Sequence, residues 1–359
     1  MPNDPVHRHR DIESSPGDSA FLRTFAVAFA ALVLGLAALV RITDPLAAFG
    51  SGILPPVVSA DRDYKAALYR DAARRPEVVV LGSSRVKTLR PACISELTGR
   101  AAFNFGVNAG VAEDFVAIMR FLRSDSAGAV REILLGADPE AFTGEPGAGR
   151  ALQTSRILGT YAPERAASAA SPSRGAADLL SLESVAASFR SLRRLFLPSA
   201  ELPQEAIARD GWQVHPRWDA EIAAGEFAQP ERVSESVVAV SRRYRDDLQL
   251  SPSRLRLLEQ MLLEAREAGV KVTAFIPPVH PGLEHDESAR ALPRLTTAME
   301  DVLRDAERRG LLRFVPTSEA AGYVNDPALY YDAVHMMAGN GDRLLGRVYG
   351  AERGAACAV

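Results

Sequence analysis

The chain has 359 residues, 47% of them hydrophobic and 24% charged, with a formal net charge of −3. That composition is ordinary for one large globular domain or two smaller ones, and the charge gives no electrostatic ground for a nucleic-acid partner. Two cysteines, Cys93 and Cys357, are too few for a disulfide framework or a zinc site, though the two could pair in an oxidising compartment.

Residues 1–19 contain Arg8 and Arg10 but also Asp4, Asp11, Glu13 and Asp18. Ala20 to Val40 is an uncharged apolar run apart from Arg23, and Arg41 closes it. Its length is that of a bilayer crossing, and Arg23, close to its start, can snorkel. A cleaved signal peptide is the alternative, but Leu46-Ala47-Ala48-Phe49 is a poor cleavage site. The sequence therefore predicts a cytoplasmic tail at 1–19, a transmembrane anchor at 20–41 and an extracytoplasmic domain at 42–359. The orientation follows positive-inside counting, which gives acids little weight.

After the anchor, Asp61–Arg75 reads as a helix ended by Pro76. Glu77–Leu81 is a β-branched run entering a turn at Gly82, the pattern of a buried parallel strand. Further strands are predicted at Ala102–Phe105, Glu132–Leu135, Val270–Ile276 and Leu312–Val315. Helices are predicted at Val111–Arg123, Leu255–Glu267, Pro293–Arg308 and Gly339–Tyr349. Strands alternating with helices predict an α/β sandwich with a mostly parallel sheet, whose ligands gather at the carboxyl ends of the strands. The stretch from about 143 to 250 breaks the rhythm and reads as an insertion of helices and loops over that edge.

Three clusters carry candidate chemistry. Leu81-Gly82-Ser83-Ser84-Arg85 puts a serine at a strand-to-helix turn, where its hydroxyl can be activated by a base; a Gly-Ser turn that begins a helix, with Ser83 or Ser84 as its N-cap, is the reading these five residues favour on their own. Asn104-Phe105-Gly106-Val107-Asn108-Ala109-Gly110 offers a glycine N–H and an amide side chain as oxyanion donors, or is a plain loop. Asp332-Ala333-Val334-His335 pairs a carboxylate with an imidazole base. The spacing alone is weak, since Asp4-Pro5-Val6-His7 repeats it.

Taken together, Gly82-Ser83-Ser84, Gly106 and Asp332-Ala333-Val334-His335 resemble the blocks of the SGNH/GDSL hydrolases. The resemblance covers about 77–349, without the insertion. It implies a three-layer α/β sandwich with a mostly parallel sheet, with Ser84 as nucleophile and Asp332 and His335 completing a triad. It also implies an oxyanion hole from Ser84 and Gly106. One departure stands out: where that family has Gly-x-Asn-Asp, this chain reads Gly136-Ala137-Asp138-Pro139. No asparagine is present, and Asn108 is the candidate substitute. With the anchor, Asp44-Pro45, the Gly-Ser-Ser-Arg turn and Phe275-Ile276-Pro277-Pro278-Val279-His280, the chain resembles the membrane-tethered envelope branch. That branch includes D-alanyl-lipoteichoic acid transfer proteins and alginate and exopolysaccharide O-acetyltransferases.

The resemblance implies acyl-ester chemistry on an envelope glycan or acylated polymer, at the outer face of a bacterial inner membrane. A membrane-bound O-acyltransferase is the partner it suggests. No cofactor or metal is expected, because the triad needs none. The competing class is a non-catalytic protein of the same fold that binds a glycan or an acyltransferase. Arg85 reads as an anion holder or a helix-surface arginine, His280 as a loop histidine or a pocket residue, and Trp212 and Trp218 as sugar platforms or packing.

Overall fold

In the computed structural model, seven short strands are described: β1 (Val78–Leu81), β2 (Ala102–Asn104), β3 (Glu132–Gly136), β4 (Ala206–Ile207), β5 (Gln213–Val214), β6 (Lys271–Phe275) and β7 (Arg313–Phe314). The structure describes residues 16–45, 61–125, 128–144, 152, 155–163, 182–196, 205–244, 248–318, 323–350 and 357. Five strands form one parallel sheet in the order β2-β1-β3-β6-β7, and β4 and β5 form a small antiparallel pair. Every residue of β1 is fully buried, as expected of a central parallel strand covered on both faces.

The helices are α1 (Pro16–Thr43), α2 (Asp61–Arg70), α3 (Pro91–Thr98), α4 (Ala112–Asp125), α5 (Leu182–Phe196), α6 (Pro216–Ala224), α7 (Gln229–Ser241), α8 (Pro252–Glu267), α9 (Pro281–Glu284), α10 (Ala291–Arg308) and α11 (Ala338–Tyr349). The side chains of β1 alternate. Val79 and Leu81 join the core built with α2, α4, α8 and α10, while Val78 and Val80 join the core built with α3 and α11. The result is the three-layer α/β sandwich that the sequence predicts.

Boundaries differ where local chemistry outweighs hydrophobic pattern. The predicted 61–75 helix stops at Arg70, short of Pro76, which disfavours helical geometry in the residue before it. Arg70 and Arg75 both pair with Asp125 across that turn. Helix α8 begins at Pro252, earlier than predicted, because the Ser251 hydroxyl accepts from the Arg254 N–H and Pro252 suits the first turn.

Helix α1 holds a 24-residue segment, Ala20–Thr43, whose most apolar 18 residues have mean hydropathy 2.4. Val27 is 70% exposed and Leu34 69%, so the protein itself leaves this surface uncovered. Residues 1–15 of the predicted tail, and Leu46 to Phe49, lie outside the described residues. Cys93 of α3 and Cys357 form a disulfide with a Cα–Cα distance of 5.3 Å.

The sheet order places β1 beside β3, with the chain leaving them toward opposite halves of the sheet. This is the switch point at which a doubly wound sheet opens a crevice beyond its strand ends. The turn containing Ser84 leaves β1 there, and Asp138 follows β3. Part of the 143–250 stretch lies at the same edge. The Asn104 N–H donates to Asp210 O at 2.8 Å, the Gln213 N–H to Lys87 O at 3.0 Å, and the Trp212 indole to Thr88 O at 3.1 Å.

Candidate active site

The turn after β1 gives its two serines opposite tasks. The Ser83 hydroxyl points inward, donates to Asp138 Oδ2 at 2.9 Å and accepts from the Arg85 N–H. Ser84 opens a short 3₁₀ turn, Ser84–Val86, and stays partly exposed. Its N–H stands at the first position of that turn, where no intrahelical acceptor exists. The turn fits only because Gly82 and Gly136 lack side chains: a Cβ at either would overlap Val86.

Beneath the turn lies a buried ion pair. Arg85 Nη1 contacts Asp138 Oδ1 at 2.6 Å and Nη2 donates to Pro277 O at 2.7 Å. Burial works against the guanidinium charge, but Asp138, together with Tyr244 and Glu140, outweighs it and holds the Arg85 pKa above its ordinary value. Arg85 is 3% exposed. It is neither the surface arginine nor the anion holder considered from sequence, because its charge is spent on Asp138. The same pair changes the meaning of the altered third block. Asp138 is a paired anchor of the serine turn, so its charge is neutralised next to the site.

His335 stands over Ser84. Its Nε2 is 2.9 Å from Ser84 Oγ, and its Nδ1 is 2.7 Å from Asp332 Oδ2. The Asp-x-x-His spacing works through its own turn: Asp332 Oδ1 accepts the N–H groups of Val334 and His335 at 2.8 and 2.9 Å. Burial disfavours the Asp332 carboxylate, but His335 and these two N–H groups outweigh it and hold its pKa below the ordinary value. An ionised Asp332 at Nδ1 keeps the proton there and leaves Nε2 as the acceptor for the Ser84 hydroxyl. The arrangement is open, with the His335 side chain 29% exposed and that of Asp332 23%.

The loop after β2 is braced differently from the sequence expectation. Asn104 Nδ2 donates to Val86 O and Leu89 O, both at 2.8 Å, and its Oδ1 accepts the Gly106 N–H at 2.9 Å. Gly106 therefore has no free N–H for an oxyanion in this geometry. Its lack of a side chain serves packing instead, since a Cβ there would press on Val86 and Lys87.

Asn108 is held on three sides. Its Oδ1 accepts from Lys87 Nζ at 2.7 Å, its N–H donates to Asp61 Oδ2 at 2.5 Å, and its C=O accepts from Arg62. Ala109 next to it has φ +45°, a left-handed conformation that costs a non-glycine residue free energy. Lys65, fully buried, donates to Asn104 O and Gly106 O at 3.0 and 2.7 Å. Burial, with the neighbouring Lys87 charge, pushes the Lys65 pKa well below its ordinary value.

Other sequence candidates find structural roles. His280 caps α9, accepting the Gly282 N–H on Nδ1 at 2.9 Å, and its ring packs edge-on against Tyr330. Trp218 stacks on His215 with ring centroids 4.5 Å apart and lies under the Arg232 guanidinium. Sequence reasoning missed Lys65, Lys87 and Asp61 altogether, and it missed the bracing roles of Asn104 and Asp138. A polar asparagine ending the buried strand β2 is the signal that could have exposed the role of Asn104.

No family model matches the sequence, and no curated protein matches it. Similar solved structures include a candidate acylhydrolase from Bacteroides fragilis, with TM-score 0.35 and 9% identity, covering 82% of this chain and 94% of that one. A GDSL-like lipase from Bacteroides thetaiotaomicron gives TM-score 0.36 and 10% identity, covering 81% and 97%. A candidate platelet activating factor from Streptococcus pneumonia gives 0.35 and 12%, covering 81% and 91%.

Proposed function

We propose that this chain is a membrane-tethered serine esterase or O-acyltransferase of SGNH type, acting on acyl esters of an envelope glycan or related polymer. The observation that carries the reading is the contact chain Ser84–His335–Asp332, with Nε2 2.9 Å from Ser84 Oγ and Nδ1 2.7 Å from the carboxylate. In the first step Ser84 Oγ bonds to the ester carbonyl carbon and its proton passes to His335 Nε2. The tetrahedral intermediate then expels the alkoxide, which takes the proton back from His335. Water or a sugar hydroxyl attacks the acyl-serine by the reverse of this route, giving an esterase or a transferase respectively. Asp332 orients the imidazole and stabilises its charged form.

The oxyanion donors in this reading are the Ser84 N–H and the Asn108 amide. With Oδ1 of Asn108 held by Lys87, the amide's NH₂ end is the part left to donate. Two features support a site outside the cytoplasm: the uncovered apolar surface of α1 and the Cys93–Cys357 disulfide.

The test is turnover of 4-nitrophenyl acetate by the full-length protein in detergent, compared with acetyl transfer to a glycan acceptor. Slow hydrolysis, lost in both Ser84→Ala and His335→Ala, is expected, with transfer exceeding it. The Gly106 N–H committed to Asn104 favours a second reading, a glycan- or partner-binding protein without turnover. Equal residual rates in wild type and both variants, together with glycan binding, would establish that one.

A further inference from the structure

Helix α5 packs against α1 by one face only. Its buried side chains are Ser184, Ala187, Ser188 and Ser191, each 4% exposed or less, at the three- and four-residue spacing of a single helix face. Opposite them Val40 and Thr43 of α1 are buried. The Thr43 hydroxyl donates to Ser188 Oγ at 2.9 Å, and Ser188 donates to Ser184 O at 2.8 Å. Small side chains let two helix backbones approach closely, which is how helices associate where no hydrophobic effect draws them together.

The apolar flank of α5 is only partly covered, with Phe189 exposed and Val185 and Leu192 half-buried. At roughly 100° per residue, Val185, Phe189 and Leu192 share one flank, and Phe189 is 56% exposed. Arg190 and Arg193 occupy the back of the helix, and both are exposed. In sequence the helix carries three arginines against one glutamate. Around its axis it thus presents a small polar face to α1, an apolar flank and a basic back.

We propose that α5 is a membrane-surface helix, with Val185, Phe189 and Leu192 in the acyl boundary beside α1 and Arg190 and Arg193 on anionic lipid headgroups. The inference rests on the reading of α1 as an anchor. A helix fixed to the last turns of a bilayer-crossing helix sits at the level of the headgroups. The order of faces is the one that an interfacial helix shows, and its basic back complements an anionic lipid surface. Ile42, 56% exposed at the same end of α1, extends the apolar surface that would meet lipid.

The test uses the full-length protein in nanodiscs of phosphatidylcholine and phosphatidylglycerol, with a nitroxide on one introduced cysteine: Phe189→Cys, Leu34→Cys or Val238→Cys. The native cysteines are paired, so only the new one reacts. Collisions with oxygen should exceed those with a water-soluble nickel chelate at 189 and 34, with the ratio inverted at 238. Adding Arg190→Glu and Arg193→Glu should lower the oxygen preference at 189, more in anionic than in zwitterionic discs. A site 189 that behaves like 238 while 34 keeps its lipid signature overturns the inference and spares the anchor. A water-like signal at 34 overturns both. Shielding of 189 from both reagents would mean a protein contact in place of lipid and also refute it.

Discussion

Arg85 and Asp138 form a buried ion pair, 2.6 Å from Nη1 to Oδ1, directly beneath the serine turn. Residues 53 apart in sequence thus lock the conformation in which Ser83 faces inward and Ser84 outward. Removing one partner leaves the other charge buried. Arg85→Met and Asp138→Ala should each lower unfolding stability by about 3–5 kcal/mol. The double variant Arg85→Met/Asp138→Leu should recover much of that loss. Urea unfolding of the three variants checks this, and a double variant no better than the worse single one would argue against the pair acting as a unit.

In the proposed mechanism Asn108 takes the oxyanion contact left by the altered third block. Asn108→Ala should reduce kcat by about 100- to 1,000-fold with KM little changed, as loss of one such donor does. The variant's melting temperature must stay near wild type for the comparison to count. An unchanged kcat removes Asn108 from the role.

The depressed Asp332 pKa sets the sign of an acid-side effect. A carboxylate whose folded pKa lies below its unfolded value of about 3.9 adds stability above that pH. That contribution disappears as pH falls through the folded value. Asp332→Asn should therefore be less stable than wild type at neutral pH, with the gap closing in acid. The same variant should lose about 10⁴-fold in kcat, because an amide can fix the wrong imidazole tautomer. A gap independent of pH would mean that Asp332 is not ionised in the folded protein.

The disulfide joins α3 to residue 357 across 264 residues of chain. Cys93→Ser, or reduction of the wild type, should cost about 2–5 kcal/mol, since the crosslink restricts the unfolded chain. Matched denaturation curves with and without reductant measure it. Identical curves would show that the bond contributes nothing.

The sequence made β1, β3 and β6 legible because each is a short apolar run that meets a breaker, at Gly82, Gly136 and Pro277. It made Ser84 legible as a candidate because it closes a strand, and Asp332 and His335 because they stand three residues apart after the last predicted strand. The bracing of the site was not legible, for two physical reasons. First, α2 turns a charged face inward, burying Asp61, Arg62, Asp63 and Lys65, and hydropathy reads such a face as solvent-exposed. Second, the partners of Asp138 and Asn104 are fixed by the sheet order, which a linear pattern does not give. Gly106 shows the same limit: a glycine in a strand-to-helix loop fits an oxyanion donor and a packing contact equally well, and the carboxamide of Asn104 decides between them.

Ser84 is the proposed nucleophile, and covalent labelling tests that role most directly. A fluorophosphonate probe should modify the full-length protein once, with the adduct on the peptide containing Ser84. Labelling should vanish in Ser84→Ala and His335→Ala, and Ser83→Ala should keep most of it, with circular dichroism showing each variant folded. Labelling that persists in a folded Ser84→Ala protein would contradict the account.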